Sequence, residues 1–372
     1  MKDNKLDLGI SARQMKALEK FALDKGYKSL PDYLLSLHKK NAQKEDPTTY
    51  EMPAKRGKLN SVYKTRRGQI LHGDSLDWLH SSRNTKTVDL IMTSPPFGLT
   101  KKKVYGNEAA HAYVAWFRQF AEGFSNVLKD DGSLVIDIAG AWEKGYPVRS
   151  LYHFDVLTML CREYGFNLCQ EHYWWNPSKL PSPAQWVNVY RSRVKDSVNC
   201  VWWLSKSKHP KADNTKILAP YSTRMEEVLK SGIKSNSRLP SGHSVTSKFN
   251  KDNGGAIPPN LIALANSESN GAYFQYCKDY GFDIHPARFP QGLPEYFIKF
   301  LTDPNDLVVD PFGGSSMTGY VAEKLGRKWR SIEMDELYAL SGTGRFLDKS
   351  PMKSTTTKYE IFSPCFDAKN KK

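Results

Sequence analysis

Apolar positions along this chain fall into two kinds of pattern. Short unbroken runs, Val88-Asp89-Leu90-Ile91-Met92, Leu134-Val135-Ile136 and Leu307-Val308-Val309, are rich in β-branched residues, and each leads into a loop shaped by Pro, Gly or a carboxylate. Such runs predict buried parallel strands. Between the first two, Trp116, Phe117, Phe120 and Phe124 recur at helical spacing and predict a helix over 113–128 with an aromatic face. A shorter strand ends at Gly73-Asp74, and aromatic-rich strands follow at 172–175 and 198–204, separated by a Pro- and Ser-rich loop at 176–183. Regularity fades from Ser205 to Ile284, then resumes with the strand at Leu307, a helix over 317–325 and a strand ending at Glu333. Strand alternating with helix predicts an α/β fold, a Rossmann-like doubly wound sheet with helices on both faces.

The first forty residues follow another pattern. Leu6, Leu8 and Ile10 alternate with polar residues, Met15, Leu18, Phe21 and Ala22 repeat at helical spacing, Gly26 stops that helix, and Ser29 caps a second one carrying Tyr33, Leu34 and Leu37. The order strand, helix, Gly turn, helix resembles the ribbon-helix-helix DNA-binding module, which works as a dimer; a helical hairpin packed on the main domain is the alternative. The chain divides by pattern into 1–41 (ribbon-helix-helix-like or helical accessory module), 42–68 (basic linker), 69–204 and 285–348 (two halves of the main domain), 205–284 (the less regular region between them) and 349–372 (tail).

Composition changes the picture in three ways. A net charge of +15 suits a polyanionic partner. Absence of a long apolar run, and of an apolar core behind Met1-Lys2-Asp3-Asn4-Lys5, gives the expectation of a soluble cytoplasmic protein with no membrane partner. Five cysteines without a Cys-x-x-Cys pair indicate neither a zinc site nor a disulfide framework, so no metal is expected.

Two loops carry the chemistry. Phe312-Gly313-Gly314-Ser315 lies between a strand and a helix, where side-chain-free backbone can approach a ligand at a helix N-terminus, and Glu333 closes the next strand about twenty residues on, where an acid would hold ribose hydroxyls. Thr93-Ser94-Pro95-Pro96-Phe97 ends the other strand. Its prolines lack donors, so the Pro95 carbonyl is free to face a cleft, and the Phe97 ring can cover a flat heterocycle. Acceptors aimed at a conjugated amino group favour pyramidal nitrogen and free its lone pair for in-line attack on a methyl sulfonium.

These loops, with Asn176-Pro177-Ser178-Lys179-Leu180-Pro181-Ser182-Pro183, Asp252-Asn253-Gly254-Gly255 and His285-Pro286-Ala287-Arg288-Phe289-Pro290, resemble the S-adenosylmethionine-dependent amino-methyltransferases of DNA. Within that family the chain is similar to the circularly permuted class I group, in which the catalytic loop precedes the cofactor loop, and to its N4-cytosine branch. The likeness runs from about Gln69 to Leu347 and implies that 69–204 is the catalytic half, 205–284 the inserted target-recognition region and 285–348 the cofactor-binding half. It implies a mixed sheet, S-adenosylmethionine as cofactor, double-stranded DNA as partner, and pairing with a cognate restriction endonuclease. A homodimer through residues 1–41 is expected if the ribbon-helix-helix reading holds.

By the same resemblance Ser94, Pro95, Pro96 and Phe97 form the catalytic loop, its serine marking N4-cytosine rather than N6-adenine chemistry, and Asp137 accepts a proton through the serine hydroxyl. Asp74, Thr93, His285, Pro290, Asp310, Phe312, Gly313, Gly314, Ser315 and Glu333 are assigned to the cofactor, and Trp174 or Trp175 to stacking on the extruded base. Adjacent strand residues point to opposite faces, so the other tryptophan belongs to the core. Lys179, Arg191, Arg193, Arg238, His243, Lys248 and Asn253 are the expected DNA contacts. Met317 stands in a stretch where the family often has threonine, and would narrow the cofactor pocket. An N6-adenine enzyme on the same scaffold and a DNA-binding autoregulator are the alternative readings.

Overall fold

The computed structural model describes residues 19–20, 22–24, 26–33, 59–98, 110–143, 145–232, 251–266 and 271–347. The chain forms two units, Met1–Met52 and Pro53–Lys372. In chain order the second contains β1 (Asn60–Lys64), β2 (Gly68–His72), α1 (Ser75–Leu79), β3 (Val88–Thr93), α2 (Ala110–Val127), β4 (Leu128–Ile138), α3 (Tyr152–Arg162), β5 (Asn167–Trp175), β6 (Val198–Ser205), α4 (Thr223–Ser231), β7 (Leu261–Ala263), α5 (Ala272–Tyr280), α6 (Gly292–Leu301), β8 (Leu307–Asp310), α7 (Met317–Lys324), β9 (Lys328–Glu333) and α8 (Glu336–Gly342).

The described residues form a nine-stranded sheet in the order β1-β2-β9-β8-β3-β4-β6-β5-β7. Strands β2, β9, β8, β3 and β4 are parallel, β1 runs antiparallel to β2, β6 antiparallel to both its neighbours, and β7 parallel to β5. From β8 the chain winds through α7 to β9 on one side, and from β3 through α2 to β4 on the other, so winding reverses between β8 and β3. In such sheets the crevice at the carboxyl ends of those two strands is the ligand site.

Burial explains which runs became central. Every residue of β3 is buried, as a strand covered on both faces requires. On one face Phe117, Phe120 and Phe124 of α2 pack with Leu79, Tyr152 and Leu160 against Ile91, Leu134 and Ile136; on the other Phe297 and Leu301 of α6 and Val321 of α7 cover Ile70, Leu90, Val135 and Trp329. Each fully buried Phe contributes roughly 1.5–3 kcal/mol, so the aromatic face fixes α2 more firmly than helix propensity does.

Two segments join the sheet although their local patterns do not announce it. Residues 60–64, assigned to the linker, form β1, whose Ser61 pairs with Leu71 and whose Val62 and Tyr63 pack on the core; Lys64 suits an edge strand, where charge discourages further pairing. Within residues 205–284, β7 pairs with β5, with Ile262 buried against Trp174, and α5 buries Tyr273 and Cys277. Long-range pairing recruited both, and their local patterns were too short to show it.

In the first unit, Gly26 has a φ of 82° at the end of helical residues 22–24, and the Ser29 hydroxyl accepts from the Asp32 N–H at 3.3 Å where helical residues 30–33 begin. Both punctuation marks act as their residue types dictate. The strand expected at 6–10 lies outside the described residues. Among the described residues no helix is long and apolar enough to cross a membrane.

Candidate active site

The two signature loops leave the sheet side by side. Thr93 ends β3 and Asp310 ends β8, neighbours in the sheet, and the Thr93 hydroxyl donates to Asp310 Oδ1 at 2.7 Å. Asp310 also accepts from the Thr318 hydroxyl at 2.8 Å and the Phe312 N–H at 3.1 Å. Burial pushes its carboxyl up to about 6 against the pull of these donors. Thr93 and Asp310, assigned to the cofactor, therefore join the loops at the switch point.

Beyond Thr93, Ser94 donates its hydroxyl hydrogen to Asp137 Oδ2 at 3.1 Å, and Asn199 Nδ2 donates to Asp137 Oδ1 at 3.0 Å. Asp137 is buried near the end of β4, and desolvation raises its carboxyl to about 6 despite the Asn199 and Ser94 hydrogen bonds and the attraction of Lys179. A buried carboxylate near neutral pKa is suited to take a proton. Pro95 is buried, Pro96 half-buried, and Phe97 packs on the aromatic face of α2 and α3. Gly98 follows where space is scarce: a Cβ there would lie 3.0 Å from the Tyr152 ring and 3.1 Å from the Tyr113 ring. The Tyr152 hydroxyl donates to the Ala139 carbonyl just past β4.

Asn199 was missed by the sequence reading. The available signal was a lone amide in Val198-Asn199-Cys200-Val201-Trp202-Trp203, since a polar side chain inside a buried strand must find a partner.

On the β8 side, Gly314 has a φ of 48°, its N–H donates to Glu333 Oε2 at 2.7 Å, and a Cβ on it would meet the His285 ring at 3.2 Å. Glu333 ends β9, takes the Asp335 N–H on its other oxygen at 2.9 Å, and has its carboxyl raised, chiefly by burial. His285 lies against the glycine loop: its ring lies on Gly314 and 4.5 Å from that of Tyr338, its Nδ1 is 2.6 Å from the Ala287 carbonyl, and burial lowers its pKa to about 4. It is therefore neutral at physiological pH. The Pro290 carbonyl accepts from the Leu293 N–H at 3.1 Å and starts α6. The Phe312 ring packs 4.8 Å from Phe120. Asp74, at the end of parallel neighbour β2, caps α1 by accepting from the Leu76 N–H at 2.9 Å.

Other candidate residues differ in burial and partners. Ser315 is buried, with its carbonyl accepting from Arg345 Nε at 2.7 Å and its hydroxyl from Arg345 Nη2 at 2.9 Å, so it braces the loop. Met317, in the first turn of α7, is buried in the core cluster that includes residues of α6. Of the tryptophan pair, Trp174 is the core residue: it is buried, with its indole N–H donating to the Leu264 carbonyl at 2.9 Å, while Trp175 is half-buried on the opposite face. Stacking on a base by Trp174 would break this packing, which leaves Trp175 as the candidate of the pair.

The basic residues divide as well. Arg193 lies 3.6 Å over the Trp142 ring and donates to the Pro147 carbonyl at 2.7 Å, Arg191 is exposed, and the Asn253 amide donates to the Lys251 carbonyl at 3.2 Å within its own turn. Lys179 is half-buried and close enough to Asp137 for each to shift the other's charge state. Arg238, His243 and Lys248 lie outside the described residues.

The chain is similar to known proteins. The DNA methylase family profile matches residues 88–342. The Type II methyltransferase M.PvuII of Proteus hauseri is 52% identical over 291 residues, covering 78% of this chain and 86% of that protein. The DNA adenine methyltransferase YhdJ of Escherichia coli (strain K12) is 24% identical, covering 74% of this chain and 81% of its own. Among solved structures, the PvuII DNA methyltransferase (cytosine-N4-specific) superposes with a TM-score of 0.64 at 46% identity, over 82% of this chain and 94% of that one. With a serine-led loop and a glycine loop held together at one switch point, and this match spanning both, the chain belongs to the DNA methylase family.

Proposed function

We propose that this chain transfers the methyl group of S-adenosylmethionine to the N4 nitrogen of a cytosine in double-stranded DNA, as the modification enzyme paired with a restriction endonuclease. The observation that carries it is the line Ser94–Asp137–Asn199 at the carboxyl end of β4, one strand from the junction of Thr93 with Asp310. Support for cytosine comes from the serine at the head of the loop and from M.PvuII, whose solved relative is named cytosine-N4-specific.

The residues present fit S-adenosylmethionine. The parallel ends of β8 and β9 bring a turn without side chains at Gly313 and Gly314 together with the buried acid Glu333, and each oxygen of that acid keeps acceptor capacity beyond the one backbone donor it holds. When bound, the cofactor supplies an electrophilic sulfonium methyl and leaves as S-adenosylhomocysteine. The target base must leave the duplex to reach the loop, against a cost of a few kcal/mol in lost stacking and pairing. There the Pro95 carbonyl and the Ser94 hydroxyl oxygen accept the two amino hydrogens, and the N4 lone pair is directed at the methyl carbon. As the C–N bond forms and the C–S bond breaks, N4 becomes cationic and acidic. Its proton passes to Ser94 Oγ while the Ser94 hydroxyl proton passes to Asp137, across the 3.1 Å bond already in place.

Incubation with labelled S-adenosylmethionine and unmethylated genomic DNA, followed by digestion to nucleosides, tests the reading. N4-methylcytosine is expected from wild type and is lost about 100-fold or more in Ser94→Ala, the usual scale for a proton-transfer group. N6-methyladenine would overturn the base assignment, and unlabelled DNA the activity itself.

A further inference from the structure

The loop after β5 is fastened beside Asp137. The Asn176 N–H donates to the Ser197 carbonyl at 2.8 Å and the Asp196 N–H to the Ser182 carbonyl at 3.5 Å, so residues 176–182 stand along the approach to β6, whose Asn199 touches Asp137. Inside the loop, Asn176 Oδ1 accepts from the Ser178 N–H at 3.2 Å and hydroxyl at 2.8 Å, and Lys195 Nζ donates to the Lys179 carbonyl at 3.2 Å. The backbone of Lys179 is thereby held in a loop that borders the approach to β6, whose Asn199 touches Asp137.

Its side chain is placed unusually. Lys179 is half-buried, and among the described residues its ammonium has no hydrogen bond or ion pair; desolvation lowers its pKa, only partly opposed by the attraction of Asp196 and Asp137. The neighbouring donors are committed: Arg149 pairs with Asp196, Asn199 with Asp137, and Lys195 with loop carbonyls. An unpaired half-buried cation is costly unless a ligand completes it. A flipped cytosine brings the complement. Its amino group is satisfied by acceptors at Ser94 and Pro95, but its ring carbonyl O2, once removed from water and from its pairing partner, needs a donor.

We infer that Lys179 supplies that donor, its ammonium bonding O2 of the target base, and so selects cytosine over adenine, which presents only C2–H there. Lys179 is then a specificity-determining residue for the reaction proposed above, and the inference rests on that cytosine assignment. A surface phosphate contact, the role its residue type alone indicates, would leave the ammonium exposed.

The test uses the full chain and duplexes of the site found by sequencing methylated genomic DNA, with cytosine or adenine at the target position. Losing a charged hydrogen bond lowers cytosine methylation ~10–100-fold in Lys179→Met, while the slower adenine reaction is little changed, so the cytosine:adenine ratio of kcat/KM falls by that factor. Lys179→Gln, which keeps a neutral donor, recovers part of the ratio and covers the case in which Lys179→Met does not fold. Equilibrium binding supplies the second readout: Kd for a duplex with the target cytosine opposite an abasic site weakens in Lys179→Met, and Kd for one with adenine there does not. Uniform weakening on every duplex, with a salt slope shallower by about one and an unchanged ratio, would make Lys179 a phosphate contact and overturn the inference. An unchanged ratio with a displaced acid limb would reduce it to an electrostatic neighbour of Asp137, also overturning it. Wild type that labels adenine in the nucleoside digest would instead sink the cytosine reading itself.

Discussion

Replacing Asn199 by Leu, of similar volume, probes Asp137, the proposed proton acceptor, without touching the loop proposed to hold the base. Asn199 Nδ2 donates to Asp137 Oδ1 at 3.0 Å, and both residues are buried, so no water replaces the lost donor. A hydrogen bond to a charged group is worth roughly 1.5–3 kcal/mol, and one pKa unit is about 1.4 kcal/mol, so the carboxyl should rise by roughly one to two units. From about 6 in the wild type, this moves it to roughly 7–8. Asp137 must be ionised to receive the proton, so methyl transfer falls as pH drops through its pKa. Single-turnover rates from about pH 5 to 9 should show the acid limb displaced upward in Asn199→Leu, with the high-pH plateau nearly retained. Stability shifts in the same sense: a folded pKa above the unfolded value of 3.8 makes the contribution full below that value and lost as pH rises through the folded pKa, a window that widens in the variant. Asp310 is also raised to about 6, but its donors are Thr93, Thr318 and Phe312, so this substitution leaves it alone. A limb that superimposes on the wild type would refute the assignment of Asp137 as the titrating acid.

Other substitutions separate the site from its supports. Thr93→Val removes the 2.7 Å bond to Asp310 and should lower unfolding free energy by ~1.5–3 kcal/mol in urea titrations; an unchanged midpoint would mean the bond does not hold the loops together. Trp174→Ala should cost ~3–5 kcal/mol as a core deletion, whereas Trp175→Ala should melt near wild type and lose ~10–100-fold in methyl transfer, as expected of a stacking platform; the reverse pattern would exchange their roles. Gly314→Ala places a Cβ 3.2 Å from the His285 ring at a φ of 48°. Calorimetry should show S-adenosylmethionine affinity reduced by about tenfold or more, from the 1–2 kcal/mol left-handed cost plus the contact, with DNA affinity unchanged; wild-type cofactor affinity would remove Gly314 from the cofactor cradle.

The main strands, the aromatic helix α2, the Gly26 stop, the Ser29 cap and the two signature loops were legible in the sequence because each depends on a few neighbouring residues: unbroken apolar runs, helical spacing, a glycine free to take positive φ, a hydroxyl that caps. Alternation of side chains along β5 also required that only one of Trp174 and Trp175 enter the core. Which one did depends on β7 and α6 covering that face, a fact of pairing between segments nearly ninety residues apart. Strand β1 was hidden for the same reason, since a basic stretch becomes a strand only when β2 offers its edge. Asn199 read as one polar residue in an apolar strand until the antiparallel pairing of β6 with β4 brought it to Asp137, and Lys179 read as a surface cation until its loop was fastened beside that pair. The sequence by itself thus determined the elements and the chemical identity of the loops, which are local properties of backbone and side-chain type. Tertiary structure alone decided which donors face the buried carboxylates, because that depends on register and burial between distant segments, and their energies exist only once water has been excluded.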